Sequence, residues 1–148
     1  GEYQTCICHG DLNSNNVIVA ENGEIILIDF QDTGRGHVFE DFIAMEASIR
    51  LNYKIEEENH KVLSNWCDLL RVEEKFNSAD KYDNSMPEIY ALIDRLRSMA
   101  KENFPTEKWR NYHYGIATYM FKLLRIKNMS NNGKGRLLVP LLVSSKLC

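Results

Sequence analysis

His9-Gly10-Asp11-Leu12-Asn13-Ser14-Asn15-Asn16 is followed, after a short apolar segment, by Ile28-Asp29-Phe30. These two stretches supply a carboxylate, an amide and a second carboxylate. A positioned carboxylate such as Asp11 can take the proton of an attacking hydroxyl. An amide oxygen and another carboxylate are hard oxygen ligands of the kind Mg²⁺ accepts. The residues between them explain how they meet. Asn16-Val17-Ile18-Val19-Ala20 is a β-rich run, and Glu21-Asn22-Gly23-Glu24 is a turn built on Asn-Gly. Ile25-Ile26-Leu27-Ile28 is a second apolar run that ends at Asp29. The pattern predicts a hairpin that leaves Asn16 and returns to Asp29, with those two residues paired at its open end.

His-Gly-Asp, an Asn five positions after the Asp, a hairpin and Ile-Asp-Phe together resemble the C-terminal lobe of the aminoglycoside phosphotransferase and choline kinase group. That group shares its fold with the protein kinases. The resemblance continues through Thr33-Gly34-Arg35-Gly36-His37-Val38-Phe39-Glu40-Asp41-Phe42-Ile43, where Asp41 looks like the Asp that braces the catalytic loop. Thr-Gly-Arg-Gly-His before Asp-Phe, with Glu46 following, is most similar to the phosphotransferase-like ternary complex associated domains of bacterial conflict systems. The diagnostic match covers residues 6 to 50.

By this resemblance Asp11 is the catalytic base, and Asn16 and Asp29 are the Mg²⁺ ligands. His9 holds the catalytic loop, Phe30 packs beneath the metal-binding Asp, and Asp41 is structural. The implied substrates are ATP or GTP and a hydroxyl-bearing small molecule. Two departures matter. Asn13 stands where protein kinases carry a Lys near the transferred phosphate. Gln31 stands where they carry the Gly of Asp-Phe-Gly, which is ordinary for small-molecule kinases and argues against an activation switch. Kinases of this group also have a β-rich N-terminal lobe with a phosphate-gripping Lys and a helix Glu. No Gly-rich loop precedes His9. The expectation is therefore a C-terminal lobe without its N-terminal lobe, cut from a longer protein, with negligible kinase activity alone. Its fold class is mainly α with a small β-hairpin (α+β). Residues 6–37 form the catalytic loop and metal hairpin of a single unit, 1–148, and 38–148 its helical subdomain.

Each residue also has a simpler reading. Asp11 can cap its own turn, but Asn16 and Asp29 at matching spacing favour a site. Arg35 and His37 read as solvated loop residues, the alternative being that they face a substrate phosphate. Cys6-Ile7-Cys8-His9 lacks a second ligand pair for zinc. At a period of two, Cys6 and Cys8 share one strand face as small core residues. A metal-dependent phosphohydrolase would need more ligands than His37, His60 and His113 offer in a loop and two helices.

At 148 residues the chain can build a real core, and its apolar fraction of 44% is ordinary. Its net charge of −3, without a basic tract, suggests neither a nucleic-acid nor a membrane-surface partner. The longest apolar stretch, Leu137 to Val143, contains Pro140 and falls far short of the ~20 residues of a bilayer span. With no signal-peptide pattern and no disulfide framework, a cytoplasmic setting is expected.

Beyond Asp41 the apolar period becomes helical. Phe39, Phe42, Ile43 and Ile49 line a helix over 39–52, and Val62, Leu63, Trp66, Cys67, Leu69 and Leu70 one over 57–72. Lys75 to Ser85 reads as a mobile polar connector. Pro87 opens a helix to Asn103 with Ile89, Leu92, Ile93, Leu96 and Ala100 inward. Thr106 is the expected N-cap of the next helix, whose stripe is Trp109, Tyr112, Ile116, Tyr119, Met120, Leu123 and Leu124. Helical spacing makes that aromatic stripe core. Ser130-Asn131-Asn132-Gly133 is a loop, and 135–146 a last helix bent or started near Pro140. Acidic residues such as Glu46, Asp80 and Asp83 are candidates to face an acceptor pocket. Two functions compete: a Mg²⁺-dependent phosphotransferase, and a nucleotide-binding or signalling module that transfers nothing.

Overall fold

Alternating residues build the first strand. In β1 (Thr5–Cys8) Cys6 and Cys8 turn inward while Ile7 stays exposed, as a period of two requires. A computed structural model describes residues 3–52, 66–79, 82–84, 86–125 and 138–144. The order after β1 is a 3₁₀ turn at Ser14–Asn16, β2 (Val17–Val19), β3 (Ile25–Leu27), a second 3₁₀ turn at Phe30–Asp32 and β4 (Gly34–His37). Then come α1 (Glu40–Asn52), α2 (Trp66–Ala79), α3 (Ile89–Asn103) and α4 (Trp109–Leu124), and residues 138–144 are also helical. The class is α+β: mainly helical, with antiparallel pairs β1–β4 and β2–β3.

The hairpin forms as expected, but its register differs by one. Ala20 and Glu24 pair, leaving Glu21, Asn22 and Gly23 as the loop, and Gly23 takes φ +81°. A loop of that length with glycine in the left-handed region is a common hairpin closure. Val17 then faces Leu27, and the Ile28 N–H donates to the Asn16 carbonyl at 3.1 Å. Asn16 therefore pairs with Ile28, and Asp29 lies one residue beyond the pairing predicted from a four-residue turn.

Other expectations are corrected by packing. Arg35 and His37 lie on β4, not in a loop, because β1 offers an edge that Gly34–His37 fills in register. Lys75 to Ala79 continue α2, since Glu73 and Phe76 bury one face of those turns. Leu92 is exposed, and Tyr90 and Arg97 take the inward positions on α3 instead. Thr106 is not an N-cap: α4 begins behind Lys108 with no side-chain cap, while Thr106 Oγ1 accepts from Gln4 Nε2 at 2.5 Å. The expected start of α2 at 57 and the loop at 130–133 fall outside the described residues.

Two apolar clusters form the core. One joins Val38, Phe39, Ile43 and Ala47 to Ala100, Tyr112, Ile116 and Met120; the other holds Phe76, Met86, Ile89, Tyr90, Ile93 and Val139. Between them runs a buried ionic network. Glu46 accepts from Arg50, Arg97 and Tyr112, the closest contacts at 2.8 Å. Glu73 accepts from Arg50, Tyr90 and Asn77. Removing charges from water is costly, and the expense is offset only when every lone pair is met. Burial alone would raise the Glu46 pKa, but Arg97 and Arg50 outweigh it and hold the carboxyl at about 2. Glu46 is thus a structural strut inside the helical body and does not face a pocket. Asp83 pairs with Lys75 at the surface at 2.9 Å, and Asp80 lies outside the described residues.

Candidate functional site

The loop after β1 is fixed from below by the head of α1. Asp41 Oδ2 accepts the His9 N–H at 2.8 Å, and Oδ1 accepts the Gly10 N–H at 3.0 Å. A carboxylate taking two successive amides sets a turn rigidly, and charge-assisted bonds are among the stronger ones. Gly10 is required here: its φ is +87°, and a Cβ would run into the Asp32 carbonyl.

His9 ties the loop to the hairpin. Its Nε2 lies 2.9 Å from the Ile28 carbonyl oxygen, and its ring meets Phe30 at 4.8 Å between centroids. With a carbonyl as partner, Nε2 is the donor. Phe30 stays 56% exposed, so it covers the His9 ring more than it fills a core. Serines add a further tether. The Ser14 N–H donates to Ser48 Oγ at 2.9 Å, and Asn52 Nδ2 donates to Ser14 Oγ at 3.0 Å, joining the loop to α1.

Asp11 is held asymmetrically. Its Oδ2 accepts from Asn13 Nδ2 at 3.1 Å and from Asn16 Nδ2 at 3.2 Å. The same two amides reach the Asp11 carbonyl at 3.2 and 2.8 Å. Oδ1 accepts nothing from any described residue. One carboxylate oxygen is therefore fixed and the other left open, an arrangement that can receive a proton at a defined place.

Asn16 and Asp29 supply the remaining oxygens. The Asn16 side chain is nearly buried and commits its nitrogen to Asp11, while its Oδ1 has no partner among the described residues. Asp29 is the one described non-glycine residue at positive φ, at +63°, and its exposed carboxylate makes no capping bond. A non-glycine residue held in this region costs energy and persists where surrounding structure imposes it. Carboxylate and amide oxygens are the donor type that Mg²⁺ accepts. No group of three or more His, Cys, Asp or Glu residues arranged for a metal occurs among the described residues. Any ion here would draw its other ligands from water and phosphate, as Mg²⁺ commonly does.

Cys6 and Cys8 stand beside this loop without joining it. Their sulfurs are 3.5 Å apart, and burial together with Cys6 pushes the Cys8 thiol up to about 12. A thiol so protonated is not a nucleophile.

Sequence reasoning missed Asn13, Ser14, Ser48 and Asn52. Asn13 showed itself as an absent Lys, although an Asn two residues after Asp11 suits a side-chain turn. Ser48 and Asn52, four apart on one helix, marked a polar edge on α1 that apolar periodicity passes over.

No helix among the described residues is long and apolar enough to cross a membrane. A family model described as ternary complex associated domain 9 matches residues 1–125, and the chain belongs to that family. Neither the curated proteins nor the solved structures contain a match to it.

Proposed function

We propose that this member of the ternary complex associated domain 9 family carries the base and metal-binding loops of a phosphotransferase. The reaction moves the γ-phosphoryl of ATP or GTP to the hydroxyl of a small molecule, within a two-lobed protein resembling the aminoglycoside phosphotransferase and choline kinase group. The observation that carries this reading is the half-open Asp11 carboxylate, with Oδ2 fixed by Asn13 and Asn16 and Oδ1 unengaged.

In this reading the acceptor hydroxyl binds against Asp11 Oδ1. As its oxygen bonds to the γ-phosphorus, the bond from that phosphorus to the bridging oxygen breaks, and the nucleoside diphosphate leaves. The hydroxyl proton passes to Asp11 Oδ1. Asn13 and Asn16 keep the carboxylate from rotating, and Asp41 keeps the loop at fixed height through His9 and Gly10. Positioning of this kind accounts for much of phosphoryl-transfer catalysis. Mg²⁺, held by Asn16 and Asp29, would neutralise charge on the phosphates.

The test is Mg²⁺-dependent turnover of ATP and GTP by the protein that carries this chain, beside Asp11→Asn and Asp29→Ala. We expect Asp11→Asn to keep nucleotide affinity and lose at least a hundredfold in rate, the scale of a positioned base. Full turnover by Asp11→Asn would remove the assignment. The family's name, which speaks of a ternary complex, supports the second reading: a nucleotide-binding module that associates with partners. Metal-dependent binding without transfer would favour it.

A further inference from the structure

A cavity of about 660 Å³ opens where α4 meets β4 and the head of α1. That size lies within the ~300–1,000 Å³ usual for small-molecule sites. His37, Glu40, Lys108, Arg110, Tyr119 and Lys122 contribute to its walls. Lys108 and Arg110 stand at the start of α4, and Lys122 lies about 18 Å further along it. Neither Lys108 nor Arg110 forms an ion pair with a described residue, and Lys122 lies over the Tyr119 ring at 5.7 Å. Asn111 and Thr118 add neutral polar groups on the same helix.

Unpaired cations gathered around a concavity raise the local concentration of anions. In a chain whose net charge is −3, this positive lining is a local reversal. Arg110 can meet two oxygens of a phosphate at once, and Lys108 can act as a point charge. Glu40, the single carboxylate of the lining, would repel a phosphate but can accept from hydroxyls. The cavity is also electrically close to the catalytic loop. The Tyr119 phenol has its pKa raised by burial first, and then by the charges of Asp11 and Glu40.

We propose that this cavity holds a soluble phosphorylated sugar or polyol, its phosphate on Lys108 and Arg110 at the start of α4 and its free hydroxyls toward Glu40. The identity of the hydroxyl as phosphoryl acceptor rests on the phosphotransferase reading; the anion site does not.

The test is calorimetric titration of the chain with ribose 5-phosphate, glucose 6-phosphate and glycerol 3-phosphate, beside ribose, glucose and glycerol. We expect at least one phosphorylated probe to bind tenfold or more tightly than its parent, and more weakly as salt rises. Lys108→Gln combined with Arg110→Gln should lower that affinity at least tenfold with an unchanged circular dichroism spectrum. Equal binding of probe and parent, no binding at millimolar concentrations, or full affinity in the double variant would each overturn the proposal. Asp29→Ala separates the two readings. It should leave probe affinity unchanged while abolishing Mg²⁺-dependent turnover by the protein that carries this chain. Charge-dependent binding in a protein without turnover keeps the cavity and removes the phosphotransferase. Turnover without such binding does the reverse.

Discussion

The β2–β3 hairpin and the helical body dispose of their side chains in opposite ways. The hairpin leaves apolar residues in solvent, with Val19 68% and Ile25 67% exposed and Ile18 and Ile26 above 40%. The body buries charges, with Glu46 and Glu73 at 0% and Arg50 at 4%. Apolar exposure on both faces of a two-stranded ribbon contributes little to folding, and such ribbons are marginal alone. This one is held at its base by the His9 contact to the Ile28 carbonyl and by the ladder bond to Asn16. The body gains its specificity from a network in which each ionic group is matched. The lesson is a division of labour. The helical body positions Asp41 against the loop after β1, and the exposed hairpin ends at Asp29.

The comparison is broken most severely at Glu46. Glu46→Ala would leave Arg50 and Arg97 buried with half of their partners gone, a cost of about 3–5 kcal/mol. Denaturant melts measure it, and a loss under ~1 kcal/mol would show that the network is not what holds the body together. The same carboxylate gives the next largest effect. Its folded pKa of about 2 lies below the ordinary 4.5, so its contribution is fully present above 4.5. That contribution disappears as pH falls from 4.5 through about 2. A shift of this size corresponds to roughly 3 kcal/mol. Stability measured against pH should therefore drop over that acid window in the wild type and drop less in Glu46→Gln.

What was legible in the sequence follows the same division. Asp11, Asn16, Asp29 and Asp41 were singled out by their resemblance to phosphotransferase motifs, and only the hairpin between Asn16 and Asp29 followed from local turn chemistry. The hairpin's existence was legible, whereas its register was not: one residue of loop length, decided by Gly23, moves Asn16 from Asp29 to Ile28. Glu46 resembled a pocket acid because apolar periodicity cannot see that Arg50, Arg97 and Tyr112 converge on it from three helices. Pairing of β1 with β4 was hidden for a related reason. Gly34-Arg35-Gly36-His37 has no strand pattern of its own and is extended only because β1 supplies the partner.

A smaller effect sharpens the contrast at the junction of the two regions. Asp29→Gly removes the cost of a side chain at φ +63° and should stabilise the chain by roughly 1 kcal/mol, while ending Mg²⁺-dependent turnover by the protein that carries it. Gain of stability with loss of activity is expected where strain serves a site. A destabilised variant would mean that the Asp29 side chain supports the fold.

The smallest effect is expected on the hairpin surface itself. Val19 and Ile25 face each other across the ladder, so Val19→Thr with Ile25→Thr removes apolar surface at one point and retains β-branching. Because both side chains already lie in water, stability should change by less than ~0.5 kcal/mol in a denaturant melt. Exposed apolar patches that do not stabilise their own domain usually serve contact with something else. If the double variant instead lost 2 kcal/mol or more, these residues would be part of the fold's own core. The hairpin and the helical body would then be one cooperative unit, and the contrast between them would describe surface composition alone.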